Sequence, residues 1–457
     1  MRSLLAVVLA CAGVASAATA QAQLSLHASL TDDYDAVLVN PALLAGHRTT
    51  LRIGSVHSAG ALNYAPNELG DEVDGDLLLR PRLSRANVDR PLEAFVGYQL
   101  QSVGLNVRRD GHQFGLHHRV RLDAELDAPG ALVRLGVEGN APLAGSELEV
   151  LPEGDVMLYH EIGLHYGRSL TPKLAVGARM KLLAGSAHVG ELEGSARVTT
   201  AADDYRIDYA LAAAFRTAGT DFDLDAETYE FDLDAGELGA GLGAAVDLGI
   251  VLRPRRAFEV SIALRDLGAI RWMDRAKRHA GSGSGTYVGA SGNVFAEDFA
   301  FDFEAVVDGL RDDAQLRSVT EAYTVGLTPK LDAHARYRLG DATDLTATLR
   351  TRFGLRPATA ATVGLAQRFG ELLHVGAHLG RQADQLIYGG RVRVGLGPVS
   401  MIAYADTAPV LFDRFAQRTA QVGAGVSLRF GKVRAAKRQG WFDGEPEGGR
   451  TTPDNYL

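Results

Sequence analysis

The chain has 457 residues, a formal net charge of -9, 46% hydrophobic and 7% aromatic residues, 52 glycines and a single cysteine. An acidic chain of this kind lacks the electrostatic footprint of a nucleic-acid protein, and one cysteine, Cys11, cannot form an internal disulfide or a cysteine-based zinc site. Beyond the N-terminal segment no run of ~20 apolar residues occurs, which excludes an inner-membrane protein built on helices.

In chain order, Met1 and Arg2 precede an apolar core from Leu4 to Val14, then Ala-x-Ala sites at Ala15/Ala17, Ala18/Ala20 and Ala20/Ala22. This is the pattern of a secretory signal peptide over residues 1–22, with cleavage expected after Ala22, leaving about 435 residues and no cysteine. Cys11 sits early, inside the apolar core, and reads as a small apolar residue rather than a lipidation site.

Residues 23–47 carry little strand character. They contain Asp32, Asp33, Ala36, Asn40, Pro41, Ala42 and Leu44 in the run Thr-Asp-Asp-Tyr-Asp-Ala-Val-Leu-Val-Asn-Pro-Ala-Leu-Leu-Ala. Asn and Asp satisfy backbone groups in a turn and Pro41 fixes it, so a polar peptide can be anchored inside a barrel. Asp33, Asn40, Pro41 and Ala42 are therefore candidate plug residues. The alternative is a plain Asn-Pro turn before a first strand at Thr49.

From residue 48 to 430, segments of roughly ten residues alternate apolar with polar or glycine, the length a tilted strand needs to cross a bilayer. They are Thr49 to Ala59, Phe95 to Arg108, His112 to Glu125, Met157 to Arg168, Leu174 to Leu182, His188 to Thr199, Tyr205 to Phe215, Leu238 to Val251 and Ala257 to Trp272. Thr286 to Phe303, Asp332 to Leu339, Leu345 to Phe353, Thr359 to Phe369, Leu372 to Gly380, Leu386 to Leu396, Pro398 to Ala405 and Thr419 to Phe430 complete the series. The fold class is all-β: a transmembrane antiparallel barrel of about 14 strands, within about 12 to 16, with short helical inserts. A soluble sandwich would also alternate, but Lys181, Arg350, Arg352, Arg391 and Arg393 opposite clean apolar faces suit a wide lumen better than a protein core.

Turn signals at Thr171-Pro172-Lys173, Arg253-Pro254-Arg255, Arg356-Pro357 and Gly397-Pro398 are expected to mark the periplasmic hairpins. Leu62 to Pro91 and Ala276 to Gly292 read as longer loops. Ala128 to Leu143 and Phe303 to Leu316 read as helices, either packed within or capping the lumen or, the favoured reading for the second, a helix in a solvent-exposed loop. Residues 431–457, rich in Gly, Pro and acids after a basic start, cannot bury a core and read as a flexible periplasmic tail.

No constellation for catalysis appears. The acid-x-acid runs at Asp221, Asp223, Asp225, Asp232 and Asp234 lack the glycine turn of a calcium loop, and ordinary strand alternation explains them. His112, His117, His118, His374 and His378 give no third metal ligand. The residues imply no cofactor, no metal site and no enzyme.

The Asn40-Pro41-Ala42 segment resembles the region near the mature N-terminus of FadL-type fatty-acid channels. The wider chain resembles an uncharacterised family of exported bacterial barrels, a domain of unknown function frequent in Bacteroidetes. That second resemblance rests on Asn40-Pro41-Ala42, on Glu161 through Gly185, on Ser261 to Trp272 and on Gly285-Thr-Tyr. Together they imply an integral outer-membrane barrel, lipid-embedded, that passes or binds hydrophobic or small anionic solutes. Similarity to PorV-type and conjugation TraF-type barrels implies the alternative, a non-conducting accessory barrel with an envelope protein partner.

Overall fold

Strict alternation gives each segment one apolar and one polar face, and a sheet built from such segments hides neither until it closes on itself. The computed structural model describes residues 34–44, 46–64, 70–73, 76–79, 90–220, 239–287, 316–355, 357–382, 385–406 and 419–432. Its fold is a closed antiparallel barrel of 14 strands. The first five are β1 (His47–Leu62), β2 (Leu92–Arg109), β3 (His112–Ala128), β4 (Glu153–Thr171) and β5 (Leu174–Thr200). Strand β6 has an upper part, Ile207–Ala218, and a lower part, Gly241–Arg255; β7 comprises Phe258–Trp272 and Lys277–Tyr287. Strand β8 is assembled from Arg317–Thr320, Tyr323–Gly326 and Lys330–Arg338. Then follow β9 (Thr343–Phe353), β10 (Pro357–Phe369), β11 (Leu373–Gln382), β12 (Gln385–Leu396), β13 (Val399–Asp406) and β14 (Thr419–Lys432). Pairing of β14 with β1, Thr49 opposite Phe430 and Leu51 opposite Leu428, closes the ring.

Register decides which face looks outward. One ladder row runs Leu51, Leu105, Leu116, Leu164, Met180, Val246, Leu267. The neighbouring row runs Asn106, Gly115, His165, Arg179, Asp247. Met180 is 68% exposed and Arg179 0%, so the apolar row faces out and the polar row faces the lumen. This apolar exterior is the surface of a membrane-spanning barrel. A lysine at Met180 should therefore destabilise the barrel by about 2–4 kcal/mol, whereas Met180→Leu should cost less than about 1.5 kcal/mol. Urea unfolding of the two variants in lipid vesicles measures the difference, and equal stabilities would contradict a lipid-facing Met180.

Tight hairpins gather at one end, for example Arg109 opposite His112 and Leu396 opposite Val399. Asp110 and Gly111 take φ of 51° and 77° there, the paired left-handed conformations of a two-residue hairpin turn. The longer connections lie at the other end.

Several sequence expectations change. Leu174 to Leu182 and His188 to Thr199 are not two strands but one, because Ala184-Gly185-Ser186-Ala187 continues the ladder instead of turning. Arg356-Pro357 is not a hairpin of the tight-turn end: Pro357 starts β10 where β9 has already crossed to the long-loop end. Strand direction alternates, so a proline alone cannot say which end it marks. Of Thr286 to Phe303 only the first two residues lie in a described strand, and residues 288–315, including the expected helix from Phe303, lie outside the described residues. So do the signal segment, Asp33, the acid-x-acid runs and the chain after residue 432. The helix expected across Ala128 to Leu143 forms as Gly130–Glu138 followed by a 3-10 turn at Ala141–Leu143, with Leu132 and Val133 packed on Tyr64, Leu92 and Ala128 at the long-loop end.

Candidate functional site

The lumen at the tight-turn end is filled by the N-terminal segment. Tyr34–Val39 forms a short helix, α1, all of whose residues are buried. The alternation of the strands gave no sign of it, because a six-residue helix buried all round has no amphipathic stripe. Its last carbonyls have no partners within the helix. Arg179 supplies them, donating from Nη1 to Leu38 O at 3.0 Å and from Nη2 to Val37 O, while also pairing with Asp247 at 2.7 Å. Asp35 pairs with Arg52, and Tyr34 donates its hydroxyl to Leu116 O at 3.1 Å.

Asn40 anchors the following turn. Its Oδ1 accepts from Ala42 N at 2.8 Å, and its Nδ2 donates to Ile250 O and Ile262 O at 3.2 and 3.1 Å. Those two carbonyls face each other across the β6 and β7 ladder. Three glycines on adjacent strands make room: Gly167, Gly177 and Gly249 share one ladder row. A Cβ at Gly177 would lie 2.4 Å from Pro41 O, one at Gly167 2.5 Å from it, and one at Gly249 1.9 Å from Asn40 Oδ1. The row is a notch cut in the wall to the thickness of a backbone. Pro41 and Ala42 therefore touch the wall directly.

Above the plug lies a buried ion-pair lattice. Its hub, Asp266, accepts Arg121 at 3.0 Å, Lys181 at 2.5 Å and Lys330 at 3.2 Å. Asp266 holds φ at 61° where the register slips between Val246 and Leu248. The bulge turns both Arg265 and Asp266 inward, at the strain cost a non-glycine residue bears in this region. Glu161 takes Arg119, Arg121 and His117, and Asp332 takes Arg265 and Arg350.

The basic residues expected to line the lumen are all buried, but in company. Lys181 lies 2.5 Å from both Asp247 and Asp266, Arg350 pairs with Asp332, and Arg352 pairs with Glu125. Arg393 is hydrogen-bonded to His374, and Arg391 lies on β12 opposite Gly376. Their acidic partners escaped sequence reasoning. One signal was present: two adjacent charges, Arg265 and Asp266, inside an alternating strand announce a bulge.

The arrangement crosses the bore. Glu125 of β3 also accepts from Thr328 Oγ1 at 3.2 Å and from Leu355 N at 2.9 Å on the far side. Nearer the long-loop end Trp272, Tyr159, Tyr323, Met157, Leu183 and Ile270 form a buried apolar cluster on one side of the lumen. His188 stacks on Trp272 with ring centroids 5.3 Å apart and is hydrogen-bonded to Tyr323 Oη at 2.8 Å. From the tight-turn end upward the lumen thus stacks plug, salt lattice and aromatic cluster.

Comparison with known proteins gives a family and a set of distant folds. The family described as "Family of unknown function (DUF5723)" matches residues 41–406. No curated protein matches the chain. Among solved structures, the Pseudomonas putida toluene transporter TodX is similar at 11% identity and a TM-score of 0.46, covering 87% of this chain and 94% of that one. A Pseudomonas aeruginosa FadL homologue is similar at 11% identity and a TM-score of 0.43, covering 88% of this chain and 95% of that one.

Proposed function

The chain belongs to the DUF5723 family, whose description carries no activity, and from its own geometry we propose an outer-membrane barrel that binds and passes hydrophobic or small anionic solutes and rests closed. The observation that carries this reading is how the plug is held. Every hydrogen bond or ion pair described between residues 34–43 and the wall has a side chain on at least one end. A stopper attached in this way, without a strand ladder, leaves as a unit while the barrel stays closed on itself. The aromatic cluster around Trp272 then offers apolar solutes a lumenal contact, and the salt lattice offers exchangeable partners to an anion.

The test is conductance and solute flux in vesicles for the wild type and for a variant lacking residues 34–43. The wild type should be nearly silent and the variant should conduct. If the plugless barrel passes neither ions nor apolar solutes, transport is wrong.

A second reading, a non-conducting accessory barrel with an envelope partner, is favoured by the packed bore itself. Arg179, Lys181 and Arg350 are each no more than 2% exposed, as in a protein interior rather than a water-filled pore. A silent plugless variant together with a stable protein recovered by crosslinking would support it.

A further inference from the structure

Three strands lose their ladder in one row. Thr217 still pairs with Lys277, and Lys277 with Thr320; the next intact pairs are Gly241 with Trp272 and Trp272 with Tyr323. The sheet beyond this break is a separate extension made from the upper parts of β5, β6, β7 and β8. One of its faces looks into the lumen's mouth. Arg216 lies over the Tyr323 ring at 5.4 Å, and Tyr323 belongs to the lumenal cluster. Arg278 pairs with Arg216 and so shares that face.

This face borders an open depression of about 670 Å³. Its floor is Ala212, Ala214 and Ala280, with Arg278 and Arg317 to one side and Glu193 opposite. Arg317 pairs with Ala280, and Arg278 with Val319, which makes the two arginines diagonal neighbours, ~7–8 Å apart at their α-carbons. Arg216 is occupied by Glu191. Among the described residues, neither Arg278 nor Arg317 has a hydrogen-bond or ion-pair partner. Two like charges this close raise the local positive potential and favour an anion between them. Two guanidiniums lining one open depression match an oxyanion, whose several acceptor oxygens take more than one fork of donors. Ser282, also in the lining, adds a hydroxyl donor. The depression is wide enough to take an organic body beside the oxyanion. The floor is cut back to methyl groups, so the rest of the ligand is apolar or flat.

We propose that the mouth of the barrel carries a binding site for a phosphate- or sulfate-bearing molecule, with its oxyanion on Arg278 and Arg317 and its body on the alanine floor. The site stands independently of conduction, since it lies above the closed part of the bore.

Equilibrium dialysis on the full chain in non-ionic detergent tests it, with phenyl phosphate as probe, inorganic phosphate as the charge alone and benzyl alcohol as the body alone. Phenyl phosphate should bind best and weaken with added salt. Affinity should fall about tenfold in Arg278→Gln and by about a further tenfold when Arg317→Gln is added, while Arg317→Lys should retain part of it. A heat-induced shift in gel mobility equal to that of the wild type shows that each variant is folded. Equal binding by the double variant, equal binding of benzyl alcohol, or no binding by the folded wild type would each overturn the proposal. Phosphorus that co-purifies with the wild type and is lost from the double variant identifies a membrane lipid headgroup as the source. A lipid-free wild type that binds phenyl phosphate identifies a soluble solute, and both results support the site.

Discussion

Gly177→Val will unseat the plug without opening the barrel. The added β-carbon falls 2.4 Å from Pro41 O and 2.5 Å from Ala42 N. Both are backbone atoms held in a turn, so neither can rotate away as a side chain could. Forcing extra methyl groups into a packed contact costs about 1–3 kcal/mol. That is comparable to what a few side-chain hydrogen bonds contribute at about 1 kcal/mol each. Gly249→Leu should act alike through Asn40, whose Oδ1 would meet the new β-carbon at 1.9 Å. The measurement is thiol labelling of Ala42→Cys in a Cys11→Ser background. Ala42 is 0% exposed, so labelling should be slow in the parent and at least about 100-fold faster in the Gly177→Val variant, an opening equivalent to about 2.7 kcal/mol. Gly340→Ala, where a β-carbon meets nothing within 4 Å, should leave labelling unchanged. Protection that persists in both notch variants would mean that the glycine row does not seat the plug.

Asp266→Asn should be the most destabilising single change in the lumen. It removes the charge that Arg121, Lys181 and Lys330 share and leaves buried cations short of compensation. Breaking a buried pair from one side costs about 3–5 kcal/mol. The residue's φ of 61° separates two contributions, because glycine adopts that conformation freely whereas aspartate and asparagine adopt it at a cost. Asp266→Gly should therefore lose about 1 kcal/mol less than Asp266→Asn. Adding Lys330→Met to Asp266→Asn should recover part of the loss, since it deletes one of the stranded charges. Urea midpoints of the barrel read all three. An Asp266→Asn barrel within about 0.5 kcal/mol of the parent, the range of an ordinary surface change, would show that the lattice is dispensable.

The sequence disclosed one half of each site. Asn40-Pro41-Ala42 stood out because an Asx-Pro turn is a local signal, and the structure places that turn against the wall. What holds it was not legible. Ile250 and Ile262 lie 210 and 222 residues away from Asn40, and Gly167, Gly177 and Gly249 look like any strand glycines until register sets them side by side. The lumenal cations were similar. Lys181, Arg350 and Arg352 could be read from alternation, but their partners Asp266, Asp332 and Glu125 depend on which strands face each other across the bore.

Period-two alternation is a property of neighbouring residues, so the sequence alone determined an all-β wall with an apolar outside, a polar inside and about 14 crossings. The ends of those crossings were harder, because a strand that continues through Gly185 and one that turns there look alike locally. Only the tertiary structure decided what fills the lumen. A bore is defined by residues facing one another across it, such as Arg121 and Asp266, 145 positions apart. Neutralising a buried charge selects partners by proximity in space, and no local pattern in the chain encodes that proximity.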